Sequence, residues 1–257
     1  MQFHYSAVLL AVLVVLGAEA AKPPTRLPTT AAPKKPLLVP DEALKPTYVV
    51  QVKIYPSHPS SRAPTHQCSG SIIGAKTVLS TADCLSHAGR LVVVAADKER
   101  TVATVKVHPG YNPTTLEKNL ALAVVEEAFV FTGNVHQVYL PEKSWKVQQF
   151  TLAPLAVCTH EEHSAKSTCN VFTVMDQRYC QGHIPHLKST EICTNSETHL
   201  PLCGKDLGSG LVYYDKKHHK TYVYAVASYS VNKCAEGPAT FVILHDFVDW
   251  IETQSVK

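Results

Sequence analysis

From Thr47 onward the chain is a succession of short β-rich runs broken by turn residues, and this feature narrows the folds open to it. The runs include "TYVVQVKIY", "RLVVVAA", "TVATVKVH", "LALAVV", "FTLAPLAVC", "NVFTVM" and "TYVYAVASY", with breaks such as "HPGYNP" between them. Runs of this length, without helical periodicity between them, predict an all-β barrel or sandwich. One stretch departs from the pattern. In "HDFVDWIETQ", Phe247, Val248, Trp250 and Ile251 recur at helical spacing, with His245 or Asp246 as candidate cap, so a C-terminal helix is expected. The length from Thr47 onward suits one domain of two barrels.

The stretch before Thr47 reads differently. "MQFHYSAVLLAVLVVLGAEA" holds an apolar run from Ala7 to Leu16 and then Ala18-Glu19-Ala20, a small-residue cleavage pattern. Residues 1–20 are therefore expected to be a secretory signal peptide, because the run is short of the roughly 20 apolar residues that span a bilayer. Residues 21–46 are rich in proline and threonine and lack a hydrophobic period, which predicts a flexible leader. All eight cysteines lie downstream, as suits an oxidising compartment and up to four disulfides. The expected product is secreted, with no membrane attachment, and carries the leader at 21–46 ahead of a folded domain over 47–257. A net charge of +3, carried by scattered residues, gives no reason to expect a nucleic-acid partner.

Three stretches carry more specific information. "HQCSGSIIGAKTVLSTADCLS" spans 66–86, "HPGYNPTTLEKNLALAVV" spans 108–125 and "CGKDLGSGLV" spans 203–212. In this order and spacing they resemble the trypsin/chymotrypsin family of serine proteases: the loop of the catalytic histidine, the strand that begins with the catalytic aspartate, and the turn that presents the nucleophilic serine. "ASYSVNKC" and "FVDWIE" resemble the specificity-pocket strand and the terminal helix. The resemblance covers roughly residues 47–252 and implies two six-stranded antiparallel β-barrels packed together, followed by a C-terminal helix.

The departures from that family are chemical. A triad needs a hydroxyl nucleophile, an imidazole to take its proton and a carboxylate to orient the imidazole. The matching positions here are Leu207, Asp83 and Asn119. Leucine has no lone pair with which to form an acyl-enzyme, so no catalytic residue is expected. The oxyanion glycine is matched by Lys205, whose Cβ disfavours glycine-type dihedrals. The specificity-pocket positions are Pro201, Leu202, Ser228, Ser230 and Ala239, which offer no carboxylate to a basic substrate side chain. Asp206 matches the carboxylate that pairs with a freed N-terminal amine in activated members. The segment that would supply the amine reads "LLVPDE" at 37–42, a poor match, so activation by cleavage is not expected. As a set, the substitutions imply a repaired network in which Asn119 supplies an amide donor to Asp83 and Ser228 joins them.

The resemblance pairs Cys68 with Cys84, Cys180 with Cys193 and Cys203 with Cys234, leaving Cys158 and Cys169 as the residual pair. All eight are read as staples rather than nucleophiles or ligands. The fourteen histidines invite a metal reading. However, "HEEH" at 160–163 lacks the spacing of the helical zinc motif, and "KKHHK" at 216–220 reads as a solvated hairpin tip. No metal and no cofactor are expected.

The function implied is that of a secreted, non-catalytic serine protease homologue, a pseudoprotease of the insect secreted type. It would act as a binding or regulatory protein in an extracellular protease network, reproductive (seminal-fluid) or immune. Its expected partners are other secreted proteins, proteases or protease homologues. Two alternatives come from different classes. One is a ligand carrier that uses the former cleft, and the other is a hydrolase of unconventional chemistry with Ser209 as displaced nucleophile.

Overall fold

The computed structural model of the chain describes residues 45–57, 63–146, 154–160, 167–196, 202–230, 234 and 237–256. The signal peptide, nearly all of the leader, the segment 37–42, Pro201 and "HEEH" beyond His160 lie outside the described residues.

Twelve strands close into two six-stranded antiparallel barrels. The first contains β1 (Val49–Tyr55), β2 (His66–Ile72), β3 (Thr77–Ser80), β4 (Arg90–Ala95), β5 (Lys98–Val107) and β6 (Ala121–Val125), in the order β1-β2-β3-β6-β5-β4. The second contains β7 (Pro154–His160), β8 (Ser167–Val174), β9 (Glu191–Ser196), β10 (Gly210–Asp215), β11 (Lys220–Ser230) and β12 (Ala239–Ile243), in the order β10-β11-β12-β9-β8-β7.

Side-chain alternation builds the cores. Along β1, Val50, Val52 and Ile54 enter the interior of the first barrel, while Tyr48 and Val49 join a separate cluster shared by both barrels. Along β11, Tyr224, Ala225 and Ala227 fill the second barrel, while Val223 and Val226 join that shared cluster. Strict alternation breaks at Tyr224, the extra residue where the β10–β11 register shifts between Leu211 opposite Ala225 and Val212 opposite Val223. The shared cluster also takes Leu120 and Leu122 from the first barrel and Val212 and Val242 from the second, so apolar packing locks the two barrels together.

The expected terminal helix is α3 (Val248–Gln254), preceded by a 3-10 turn over His245–Phe247. Phe247 and Ile251 from this segment cover one side of the shared cluster. Neither candidate cap serves as one: α3 begins after Phe247 with no side-chain capping bond. Two further short helices are α1 (Ala82–Leu85) and α2 (Gln177–His183).

Four disulfides join Cys68–Cys84, Cys180–Cys193 and Cys203–Cys234, the pairs that the resemblance implies, and Cys158–Cys169, the residual pair. Four disulfides and this fold suit a secreted or extracellular protein. Among the described residues no helix is long and apolar enough to cross a membrane.

Candidate functional site

Asp83, Asn119 and Leu207 reach one region from three elements. Asp83 lies in the first turn of α1, which begins as soon as β3 ends. The Thr81 hydroxyl caps this helix by accepting from the Cys84 N–H at 3.3 Å. A second N–H at the helix start, that of Asp83, donates to Asn119 Oδ1 at 2.8 Å. Asn119 stands two residues before β6 and is fully buried. Because a backbone N–H can only donate, the amide oxygen faces Asp83. The amide nitrogen then faces the second barrel, where it donates to the buried Ser228 hydroxyl on β11 at 3.0 Å.

The three residues expected to form a network thus meet, but with one difference. Asn119 accepts from the Asp83 backbone rather than donating to its carboxylate. The Asp83 side chain is exposed, and its charge helps to raise the pKa of the nearby Tyr111 phenol, second to burial.

Leu207 follows a 3-10 turn over Gly204–Asp206 whose start is pinned by the Cys203–Cys234 disulfide. Asp206 closes the turn from within, since its Oδ2 accepts from the Cys203 N–H at 2.9 Å. Burial pushes the Asp206 carboxyl pKa up, with the Cys203 N–H, the Lys205 charge and the Thr159 hydroxyl pulling the other way. Leu207 itself is half-buried, with extended φ −61° and ψ 138°. Gly208 then turns at φ +91°, where a Cβ would collide with the Ser69 carbonyl and the Ser80 hydroxyl. Only glycine fits that close approach.

The first barrel holds this loop in place. The Ser69 N–H donates to the Leu207 carbonyl at 2.8 Å, and the Ser69 hydroxyl donates to the Lys205 carbonyl at 2.9 Å. The Ser80 hydroxyl donates to the Ser69 carbonyl at 2.6 Å, completing a buried chain of small polar groups. The sequence reading did not single out these serines. The signal for Ser69 is the run of small residues "CSGS" on β2, whereas Ser80, at the end of β3, carries none.

An oxyanion hole needs N–H groups aimed out into the cleft. The Leu207 N–H instead donates back to the Gly204 carbonyl at 3.3 Å. Lys205 occupies the 3-10 turn and is not among the residues with positive φ, so no glycine-type dihedral is used there. Ser209 is 1% exposed and its N–H donates to the Asp206 carbonyl; no imidazole is bonded to its hydroxyl. Of the pocket positions, Leu202 is 5% exposed and Ala239 3%, and both pack with Tyr224, Ala227 and Phe241 in the core of the second barrel. Ala239 pairs with Ser230 across β11 and β12. Among the described residues no group of three or more His, Cys, Asp or Glu could hold a metal ion.

The arrangement therefore has a turn that presents a side chain between two barrels, and an amide bridge where proton transfer would need an imidazole and a carboxylate. Comparison with known proteins places it. The family model described as Trypsin matches residues 42–251. The chymotrypsin of Phaedon cochleariae is 22% identical over 205 residues, 73% of this chain and 72% of that protein. Chymotrypsin-2 of Vespa crabro is 26% identical over 212 residues, 77% of this chain and 93% of the relative. Among solved structures, GrC aligns at a TM-score of 0.68 with 19% identity, covering 82% of this chain and 95% of that one. HL collagenase aligns at 0.66 with 20% identity, covering 82% and 94%. At such identities the structural likeness is one of fold.

Proposed function

The chain belongs to the trypsin family of serine proteases, and from that membership we propose that it is a secreted, non-catalytic member that binds rather than cuts. The observation that carries the reading is Leu207 at the apex of the turn where the family presents its nucleophile. A hydrocarbon there forms no acyl-enzyme, whatever surrounds it. The surroundings agree with the reading. Asn119 is committed on both sides, to the Asp83 backbone and to Ser228, and the Leu207 N–H is turned inward. Its role is then that of a binding or regulatory protein in an extracellular protease network, reproductive or immune, with proteases or their homologues as partners.

The carrier alternative asks for an open apolar cleft, whereas Leu202 and Ala239 are packed away in the core. The alternative nucleophile Ser209 is buried, and among the described residues no base bonds its hydroxyl.

Labelling with a fluorophosphonate probe, alongside turnover of peptide esters, tests the proposal. The expected result is no stoichiometric label and no turnover above the residual level, about 10³–10⁴-fold over water, that binding and an intact oxyanion hole supply without a triad. The Leu207→Ser variant is expected to stay equally silent, since no base takes the new hydroxyl's proton. Stoichiometric labelling of the natural chain would overturn the reading.

A further inference from the structure

We propose that the β10–β11 hairpin tip, with the row of aromatic rings beside it, binds a sulfated polysaccharide. This surface stands apart from the Leu207 turn, and the proposal holds whether or not the chain cuts.

The tip is "KKHHK": Lys216 to Lys220 are five consecutive exposed residues on a chain whose overall net charge is only +3. The single acid of the turn, Asp215, is already committed. It accepts from the Lys217 N–H at 2.8 Å and from the His218 N–H at 3.4 Å, and it bonds the His218 ring. Asp215 thereby shapes the turn while Lys216 and Lys217 stay exposed, so the tip concentrates positive charge at one end of the second barrel.

The register of the hairpin sets what lies beside that charge. Asp215 opposes Lys220 and Tyr213 opposes Tyr222, and strand alternation puts these four on one face. On that face the rings run in series. Tyr213 meets Trp145 at 5.9 Å, Trp145 meets Tyr222 at 5.1 Å, and Tyr222 meets Tyr139 at 5.9 Å. Lys220 Nζ sits 4.6 Å above the Tyr139 ring, tying the cationic tip to the end of the row. All four rings are half-buried, so each is held by the protein yet keeps an edge or face in water. Burial, with Asp215 and Glu142 nearby, pushes the Tyr222 phenol pKa up.

Cations beside aromatic rings fit two kinds of polyanion, and the angles between the rings separate them. Successive rings are turned by 85°, 57° and 47°, which makes a corrugated row rather than a set of parallel shelves. Planar bases stack best on parallel faces. Puckered sugar rings, which present C–H groups to an aromatic edge or face, suit the corrugated row while their sulfates meet the lysines. The four disulfides also suit an oxidising compartment, where polysaccharides of this class are the common polyanions.

Calorimetric titration of the full chain with a heparin-derived octasaccharide, at several salt concentrations, tests the assignment. Binding is expected, weakening as salt rises because each lysine–sulfate contact releases counterions. Lys216→Glu with Lys217→Glu is expected to weaken it by about tenfold or more and to flatten the salt dependence. Trp145→Ala is expected to weaken binding with the salt slope unchanged. The matched charge reversal Lys45→Glu with Lys98→Glu, at exposed residues away from the tip, should leave it intact. Circular dichroism of each variant checks that it is folded. The proposal is overturned by absence of binding, by equal weakening in the matched reversal, or by equal affinity for a desulfated octasaccharide. Equal affinity for a single-stranded DNA of the same charge overturns it too, by showing that the tip reads charge alone.

Discussion

Asn119 joins the two barrels through one amide. Its oxygen satisfies an N–H at the start of α1 in the first barrel, and its nitrogen satisfies the Ser228 hydroxyl in the second. Both bonds are buried at the Asn119 end, so truncation strands a donor on one side and an acceptor on the other. Asn119→Ala is expected to cost about 1–3 kcal/mol, read by denaturant unfolding. Asn119→Asp keeps the acceptor for Asp83 but buries a charge that cannot donate to Ser228 while ionised. Asp206 is the second residue whose surroundings decide its behaviour. Its carboxyl pKa is raised in the folded state, so the folded chain holds that proton more tightly than the unfolded chain. Its contribution is complete below about pH 3.9, the unfolded value, and is lost as pH rises through the folded one. Asp206→Asn removes that loss and keeps an acceptor for the Cys203 N–H. Its stability relative to the natural chain should therefore climb as pH rises from about 4. A pH-independent difference between the two unfolding curves would contradict this.

Among the elements, the β7–β8 hairpin carries the clearest single prediction. Cys158 and Cys169 are directly opposed across the ladder, with Cα atoms 3.9 Å apart, nearer the closely spaced kind of antiparallel pair than the wider kind. A cross-link over a short loop is worth about 3 kcal/mol, so replacing both cysteines by alanine should lower stability by about that much. Non-reducing peptide mapping checks the pairing itself. This hairpin also shows what was legible in the sequence. The runs that became β1, β4, β5, β6, β7, β8 and β11 stood out as short β-branched or apolar stretches bounded by turn residues. Strands β2 and β3 were read only through the resemblance: "HQCSGSI" is small and polar because its residues pack against the Leu207 loop, not because it is a turn. Helix α2 was not foreseen, since it is seven residues long and buries only Cys180, too little for a helical stripe. Asp83, Asn119, Ser228 and Leu207 were legible as neighbours through the resemblance, whereas the serines behind the Leu207 loop and the direction of the Asn119 hydrogen bonds were not. Whether Asn119 would give to Asp83 or take from it depends on the backbone orientation that α1 imposes.

For the whole molecule, the shared apolar cluster couples both barrels, so a titrating group at their seam should report on global rather than local stability. His160, at the end of β7, is such a group. Burial pushes its imidazole pKa down, with Lys53 adding to the shift and the Val49 backbone and Asp97 opposing it. The unfolded histidine takes a proton near pH 6.5, while the folded one resists it. Its contribution is therefore complete above about pH 6.5 and is lost as pH falls through the folded value. Asp206 loses its contribution in the opposite direction, as pH rises from about 4, so the two contributions change with pH in opposite senses over the interval from about pH 4 to 6.5. Each single variant should accordingly differ from the natural chain by the slope of the group it lacks. His160→Gln should leave the Asp206 slope uncovered and lose stability relative to the natural chain as pH rises through the interval. Asp206→Asn should do the reverse, and the double variant should lack both slopes. Urea unfolding of all four proteins at closely spaced pH values measures this. Parallel profiles for the two single variants would show that these groups do not govern the molecule's response to acid.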